Sequence, residues 1–217
     1  MHADGIAQFV EAVAPEHDSV QREMAAHGDR EGFPTVGRGA GAALAMLTRL
    51  TDAERVFEFG SGFGYSASWF LRAGADRVVL TEHDADELSL AREYLGGAGY
   101  PGEVVYREGD AVEIVEEYDG PFSLAFVDHQ KRRYVDAFER VRGKLRPGGA
   151  VVADNILAGP ADYEAILYHL RTGEPLGDAD GFTRGVAAYL DRVMADDAFE
   201  TSVLPVGEGL TVSVRVD

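Results

Sequence analysis

From Arg55 onward, short β-type runs alternate with helical stretches, and no other feature of this chain narrows its possible folds so far. The strand candidates are 55–59, 77–82, 103–107, 122–127 and 150–154. Helical spacing falls near 65–73, 86–96, 110–117, 132–144, 161–170 and 183–196. A chain written this way lays its strands side by side in parallel and covers both faces of the sheet with helices. The tail breaks the pattern. Segments 200–204 and 210–216 read as strands joined only by Pro205-Val206-Gly207-Glu208-Gly209. So short a link forces an antiparallel pair, because a parallel one needs a long crossover. The prediction is an α/β, three-layer, Rossmann-like sheet of seven strands, mostly parallel, closed by a C-terminal antiparallel hairpin. Upstream, 5–13, 18–27 and 40–50 have helical spacing, and a glycine-rich loop carries Phe33-Pro34-Thr35-Val36-Gly37. Residues 1–217 are expected to form one domain, with 1–50 as a helical segment packing on the cofactor and substrate side.

Composition removes several function classes. Thirty-eight Asp and Glu against twenty Lys and Arg give a net charge of −18, and such a surface repels phosphate backbones, so nucleic acid is not an expected partner. No apolar stretch is long enough to span a bilayer, and Met1-His2-Ala3-Asp4 lacks the basic-then-apolar pattern of a leader, so no membrane partner and a cytoplasmic location are expected. With no cysteine there are no disulfides, zinc–thiolate sites or thiol nucleophiles. Only two basic residues are lysine, Lys131 and Lys144. That scarcity has two readings, which stay open: a halophilic chain kept soluble by hydrated carboxylates, or a GC-rich genome that prefers arginine.

Phe57-Glu58-Phe59-Gly60-Ser61-Gly62-Phe63-Gly64-Tyr65-Ser66 is a strand running into a helix through three glycines. Glycine lets the backbone turn sharply and approach a ligand closely. The spacing is G-x-G-x-G rather than the G-x-G-x-x-G of dinucleotide-binding proteins. Glu58, two residues before the first glycine, opposes a pyrophosphate and suits a cationic ligand. S-adenosylmethionine, with its ammonium and sulfonium, is such a ligand; a turn needed only for packing is the alternative. Glu82 closes the next strand, at the place where an acidic residue accepts hydrogen bonds from ribose hydroxyls in folds of this kind. His83 and Asp84 are the fallback for that role and are otherwise read as capping the following helix. Asp110, after the third strand, stands either beside an adenine or at a helix N-cap, and the two readings are about even.

Strand 122–127 runs into Asp128-His129-Gln130-Lys131-Arg132-Arg133-Tyr134, and strand 150–153 into Asp154-Asn155. In a doubly wound sheet ligands bind beyond the carboxyl ends of the strands. Neighbouring strands lie about 4.8 Å apart, so oxygens from two such ends converge. Asp128, Asp154 and Asn155 form a hard-oxygen set that suits Mg2+ or a similar divalent cation. The competing readings are a helix cap at Asp128 and a turn at Asp154-Asn155. Lys131 is the candidate general base, because a nearby divalent cation disfavours its charged form.

Together these residues resemble the catechol O-methyltransferase family of cation-dependent methyltransferases. The resemblance runs from about Phe33 to the C-terminus, through Phe57-Glu58-Phe59-Gly60, Gly64-Tyr65-Ser66, Asp128-His129-Gln130-Lys131-Arg132-Arg133-Tyr134, Leu145-Arg146-Pro147-Gly148-Gly149 and Ala153-Asp154-Asn155. It implies the seven-stranded methyltransferase fold, metal binding by Asp128, Asp154 and Asn155, and Lys131 as the base that deprotonates the acceptor hydroxyl. It further implies a cofactor site lined by Val36, Gly60, Ser66, Glu82 and His129, to which the residues themselves add Glu58, Gly62, Asp110 and Asp128. Gln130 stands where the animal enzyme has a tryptophan beside the adenine. The loop Ile156-Leu157-Ala158-Gly159-Pro160 falls on the substrate side. The expected partner is a small hydroxyl-bearing acceptor, and the expected assembly a monomer or homodimer. The rivals are a metal-independent methyltransferase of the same fold and a non-catalytic S-adenosylmethionine-binding protein.

Overall fold

The computed structural model describes residues 3–157, 159 and 161–217. Met1 and His2, part of the N-terminus read as unlike a leader, and Ala158 and Pro160 of the loop assigned to the substrate side, lie outside the described residues. Seven strands form one sheet: β1 (Arg55–Phe59), β2 (Arg77–Glu82), β3 (Glu103–Glu108), β4 (Phe122–Val127), β5 (Leu145–Ala153), β6 (Phe199–Leu204) and β7 (Leu210–Arg215). The helices are α1 (Ala3–Val13), α2 (Ser19–Glu31), α3 (Gly37–Leu50), α4 (Tyr65–Ala73), α5 (Ala85–Gly97), α6 (Ala111–Ile114), α7 (Tyr134–Val141), α8 (Tyr163–Thr172) and α9 (Gly181–Met194). The strand order is β3-β2-β1-β4-β5-β7-β6. The first five strands pair in parallel, and β7 runs antiparallel to both β5 and β6, as the short Pro205–Gly209 link requires.

Alternation along the strands divides the core. Val56, Leu80, Leu124, Phe126 and Val152 point to the face covered by α3, α4 and α5. Phe57, Phe59, Val79, Ala125, Val127 and Val151 point to the other, against α6, α7 and α9. Successive side chains leave a strand on opposite sides, so the five-residue β1 feeds both layers. Among the described residues no helix is long and apolar enough to cross a membrane.

Differences from the sequence reading lie at element ends. The stretch 110–117 divides into α6 and a 3-10 turn, Val115–Glu117. The stretch 132–144 divides into α7 between two 3-10 turns, Lys131–Arg133 and Arg142–Lys144. β5 starts earlier than 150, because Leu145 already pairs with Phe122 and the residues around Pro147 bulge out before Ala150 pairs with Leu124. α2 runs past 27 until Gly32, in the left-handed region at φ 68°, closes it.

One close contact fixes the N-terminal helices on the sheet. A Cβ on Gly41 of α3 would lie 2.3 Å from Nε1 of Trp69 in α4, and Trp69 is only 1% exposed. Gly41→Ala therefore pits about 1 kcal/mol of helix propensity against overpacking of about 1–3 kcal/mol. We expect a net fall in the thermal midpoint, read by circular dichroism; a rise would show that the indole moves aside freely.

Candidate active site

Register places the site. Phe59 pairs with Thr81 and with Val127, and Val127 pairs with Ala153. The next residues of these parallel strands, Gly60, Glu82, Asp128 and Asp154, therefore emerge level at one edge. Backbone hydrogen bonds lock them there: Asp128 N to Phe59 O at 3.0 Å, Asp154 N to Val127 O at 3.1 Å and Ser61 N to Thr81 O at 3.0 Å. They open into a cavity of about 700 Å3.

The glycine turn forms the floor. Gly60 has φ 81°, and a Cβ on it would come within 2.9 Å of Asp128 O, so the turn presses directly on the β4 exit. Gly62 donates its N–H to Glu82 Oε2 at 2.9 Å, and Glu82 Oε1 accepts from the backbone N–H groups of His83 and Asp84. Glu82 thus ties the turn down while still lining the cavity. Asp84 caps α5 through Asp86 N and Glu87 N, as its position suggested.

Val36, Gly60, Gly62, Ser66, Glu82, Asp128 and His129 all face this cavity. Two other expected contacts do not. Glu58 lies fully buried below the turn, where its carboxyl accepts the Ser66 hydroxyl proton. Burial above all, with the nearby charges of Asp128 and Glu82, pushes its pKa up to about 8. Its carboxyl lies under the turn rather than on the cavity wall. Asp110 caps α6 by accepting from Val112 N and pairs with Arg133 at 2.6 Å, outside the cavity wall. The cap, one of its two open readings, is what the geometry contains. The His129 ring stacks on Tyr134, with centroids 5.5 Å apart and planes 11° from parallel. Burial lowers its pKa to about 4, so the ring is neutral, and neither ring nitrogen has a protein partner among the described residues.

On the far wall, Asp128, Lys131, Asp154 and Asn155 converge. Lys131 Nζ lies 3.4 Å from Asp128 Oδ1, and hydrogen-bonds Asn155 Oδ1 and the Tyr134 hydroxyl. Asp154 is 1% exposed and accepts from Asn155 N at 2.6 Å. Asn155 takes φ 56°, a left-handed conformation that asparagine tolerates better than most residues. Burial raises the Asp128 and Asp154 carboxyls above the usual carboxylate range, and for Asp154 the neighbouring Asp128 charge adds to it. Among the described residues no three carboxylate, imidazole or thiolate groups cluster; the third oxygen is the Asn155 amide. Two carboxylates and an amide oxygen at neighbouring strand ends, lining one cavity beside Lys131, are donors of the kind a hard divalent ion takes.

Three residues escaped the sequence reading of the site. Tyr134, fully buried, joins Lys131 to the Asp154 carbonyl oxygen, to which its hydroxyl donates at 3.2 Å. Glu208, from the β6–β7 turn, accepts a hydrogen bond from Asn155 Nδ2 and lines the cavity. Phe182, in the first turn of α9, places its ring centroid 5.9 Å from Lys131 Nζ.

A doubly wound sheet with a glycine turn at the β1 exit and an oxygen-rich cleft beside it places a small-ligand site beyond the carboxyl ends of its strands. The sequence profile described as O-methyltransferase matches residues 19–216, and the chain belongs to that family of enzymes. Catechol O-methyltransferase of Niastella koreensis is 33% identical over 129 residues, 57% of this chain and 58% of that protein. Caffeoyl-CoA O-methyltransferase 2 of Zea mays is 30% identical over 191 residues, 84% of this chain and 70% of the relative. The fold is shared with the O-methyltransferase TomG of Streptomyces achromogenes, solved with SAM, at a TM-score of 0.83 and 23% identity over the whole of both chains.

Proposed function

We propose that this O-methyltransferase takes its methyl group from S-adenosylmethionine and, with a divalent cation, places it on a small catechol-like hydroxyl compound. One observation carries the reading: Asp128, Lys131, Asp154 and Asn155 share a cavity of about 700 Å3 with the Gly60–Gly62 turn. Relatives named for catechol and caffeoyl-CoA methylation agree with it.

In this reading Gly60 and Gly62 let the cosubstrate approach the backbone closely. Glu82 accepts from its ribose hydroxyls, and the neutral His129 ring packs beside the base. Asp128, Asp154 and Asn155 would hold the cation, which would supply Lewis-acid stabilisation of negative charge on the acceptor oxygen. Lys131 Nζ takes the hydroxyl proton, and Tyr134 holds that nitrogen at the Asp154 end of the site. Glu208 accepts from the neighbouring hydroxyl of a catechol. The acceptor oxygen then attacks the sulfonium methyl in line, the methyl–sulfur bond breaks with its electron pair going to sulfur, and S-adenosylhomocysteine leaves; holding both reactants in one cleft supplies much of the acceleration.

The test is methyl transfer to catechol with and without EDTA. We expect chelation to suppress turnover and added Mg2+ to restore it. Full activity in EDTA would leave a metal-independent methyltransferase of the same fold, and S-adenosylmethionine binding without any turnover would leave a binding protein.

A further inference from the structure

Arg132, exposed and one residue beyond Lys131, lines the same cavity. Among the described residues it makes no ion pair and no hydrogen bond, although acidic side chains outnumber basic ones thirty-eight to twenty. Its neighbour Arg133 is committed, to Asp110 at 2.6 Å and to Asp136 at 3.7 Å. The backbone beneath Arg132 is held closely: a Cβ on Gly185 of α9 would meet Lys131 C at 2.8 Å and Arg132 N at 3.0 Å. The cavity carboxylates have other partners, Glu82 on the glycine turn, Glu208 on Asn155 and Asp128 on Lys131. Gln130 and Phe182 line the same cavity. An uncommitted arginine in a cavity that Phe182 also lines suits a planar ring bearing a carboxylate, since the guanidinium fork matches that group's two oxygens.

Resting on the methyltransferase reading above, we infer that the acceptor is an anionic aromatic diol and that Arg132 reads its carboxylate. Arg132 then sets acceptor preference, while the oxygen cluster around Lys131 sets the chemistry.

The test is calorimetric titration of wild type, Arg132→Gln and Arg132→Lys with 3,4-dihydroxybenzoate and its neutral amide, in Mg2+ and S-adenosylhomocysteine. Methylation of both compounds by the wild type is measured alongside. We expect the wild type to bind the benzoate more tightly, and Arg132→Gln to lower that preference, the ratio of the two Kd values, by about tenfold. Arg132→Lys should recover part of it, and added salt should shrink it. A preference unchanged in Arg132→Gln, or a wild type that binds the amide as well as the benzoate, overturns the inference. A preference that shifts as expected without methylation of either compound upholds carboxylate binding by Arg132 and overturns the catechol-like acceptor of the proposed function instead.

Discussion

Lys131→Ala should lower kcat by about 10²–10⁴-fold, the usual worth of a positioned proton acceptor, while leaving the Kd for S-adenosylhomocysteine within about threefold. The reason lies in where the side chain stands. Lys131 Nζ is held by Asp128, Asn155 and Tyr134 on the far wall of the cavity, whereas the glycine turn is tied down by Glu82. Removing the amine deletes the proton acceptor without touching that turn. Lys131→Arg sharpens the experiment, because it keeps a positive charge among the oxygens but a guanidinium does not give up its proton. Both variants should be slow. Were arginine to restore near-normal turnover, Lys131 would be a structural counter-charge and the base would have to be sought elsewhere. Steady-state kinetics paired with calorimetry decide between these outcomes.

Asp154→Asn should separate stability from activity. The substitution keeps the shape and an oxygen able to accept from Asn155 N, yet removes a charge from the cation set. Losing even a supporting partner of a metal ligand costs about 10–100-fold, so loss of a ligand should cut Mg2+-dependent turnover by more than about 100-fold. Metal-free stability should move the other way. Burial first, and then Asp128, raise the folded-state pKa of Asp154 above its unfolded value. Between those two values the folded protein binds more protons than the unfolded chain. This contribution is therefore fully present below the unfolded value and is lost as pH rises through the folded one. In EDTA at neutral pH, Asp154→Asn should melt at a higher temperature than wild type, and its midpoint should vary less with pH between about 4 and 7. A variant that melts lower throughout would show that the carboxylate is a net stabiliser even without the ion.

The chain declared its sheet and its strand-end chemistry because both are written in local pattern. Apolar runs such as 122–127 and 150–153 mark buried parallel strands, and whatever follows them must stand at the ligand edge. That logic put Gly60, Glu82, Asp128, Asp154 and Asn155 at one edge, where all five line one cavity. It overreached at Glu58 and Asp110, whose residue types suited a ligand but whose depth and partners depend on tertiary packing. Burial removes Glu58 from the wall, and Arg133 draws Asp110 to the outside. It underreached at Tyr134 and Phe182, which meet Lys131 only once α7 and α9 have packed on the sheet. Glu208 was open to inference. An antiparallel β7 beside β5 must begin where β5 ends, so the turn before it returns to the edge that carries Asp154.

That return has a practical consequence. β7 starts at the cleft and runs away from it, so extra chain after its last residues leaves from the opposite end of the sheet. Of residues 205–209, Glu208 lines the cavity and accepts from Asn155, while Gly207 packs near Ala40 and Gly209 near Leu157. Anyone wishing to retarget this enzyme should graft that five-residue segment, whose ends are already fixed by the hairpin, and leave the strand exits intact.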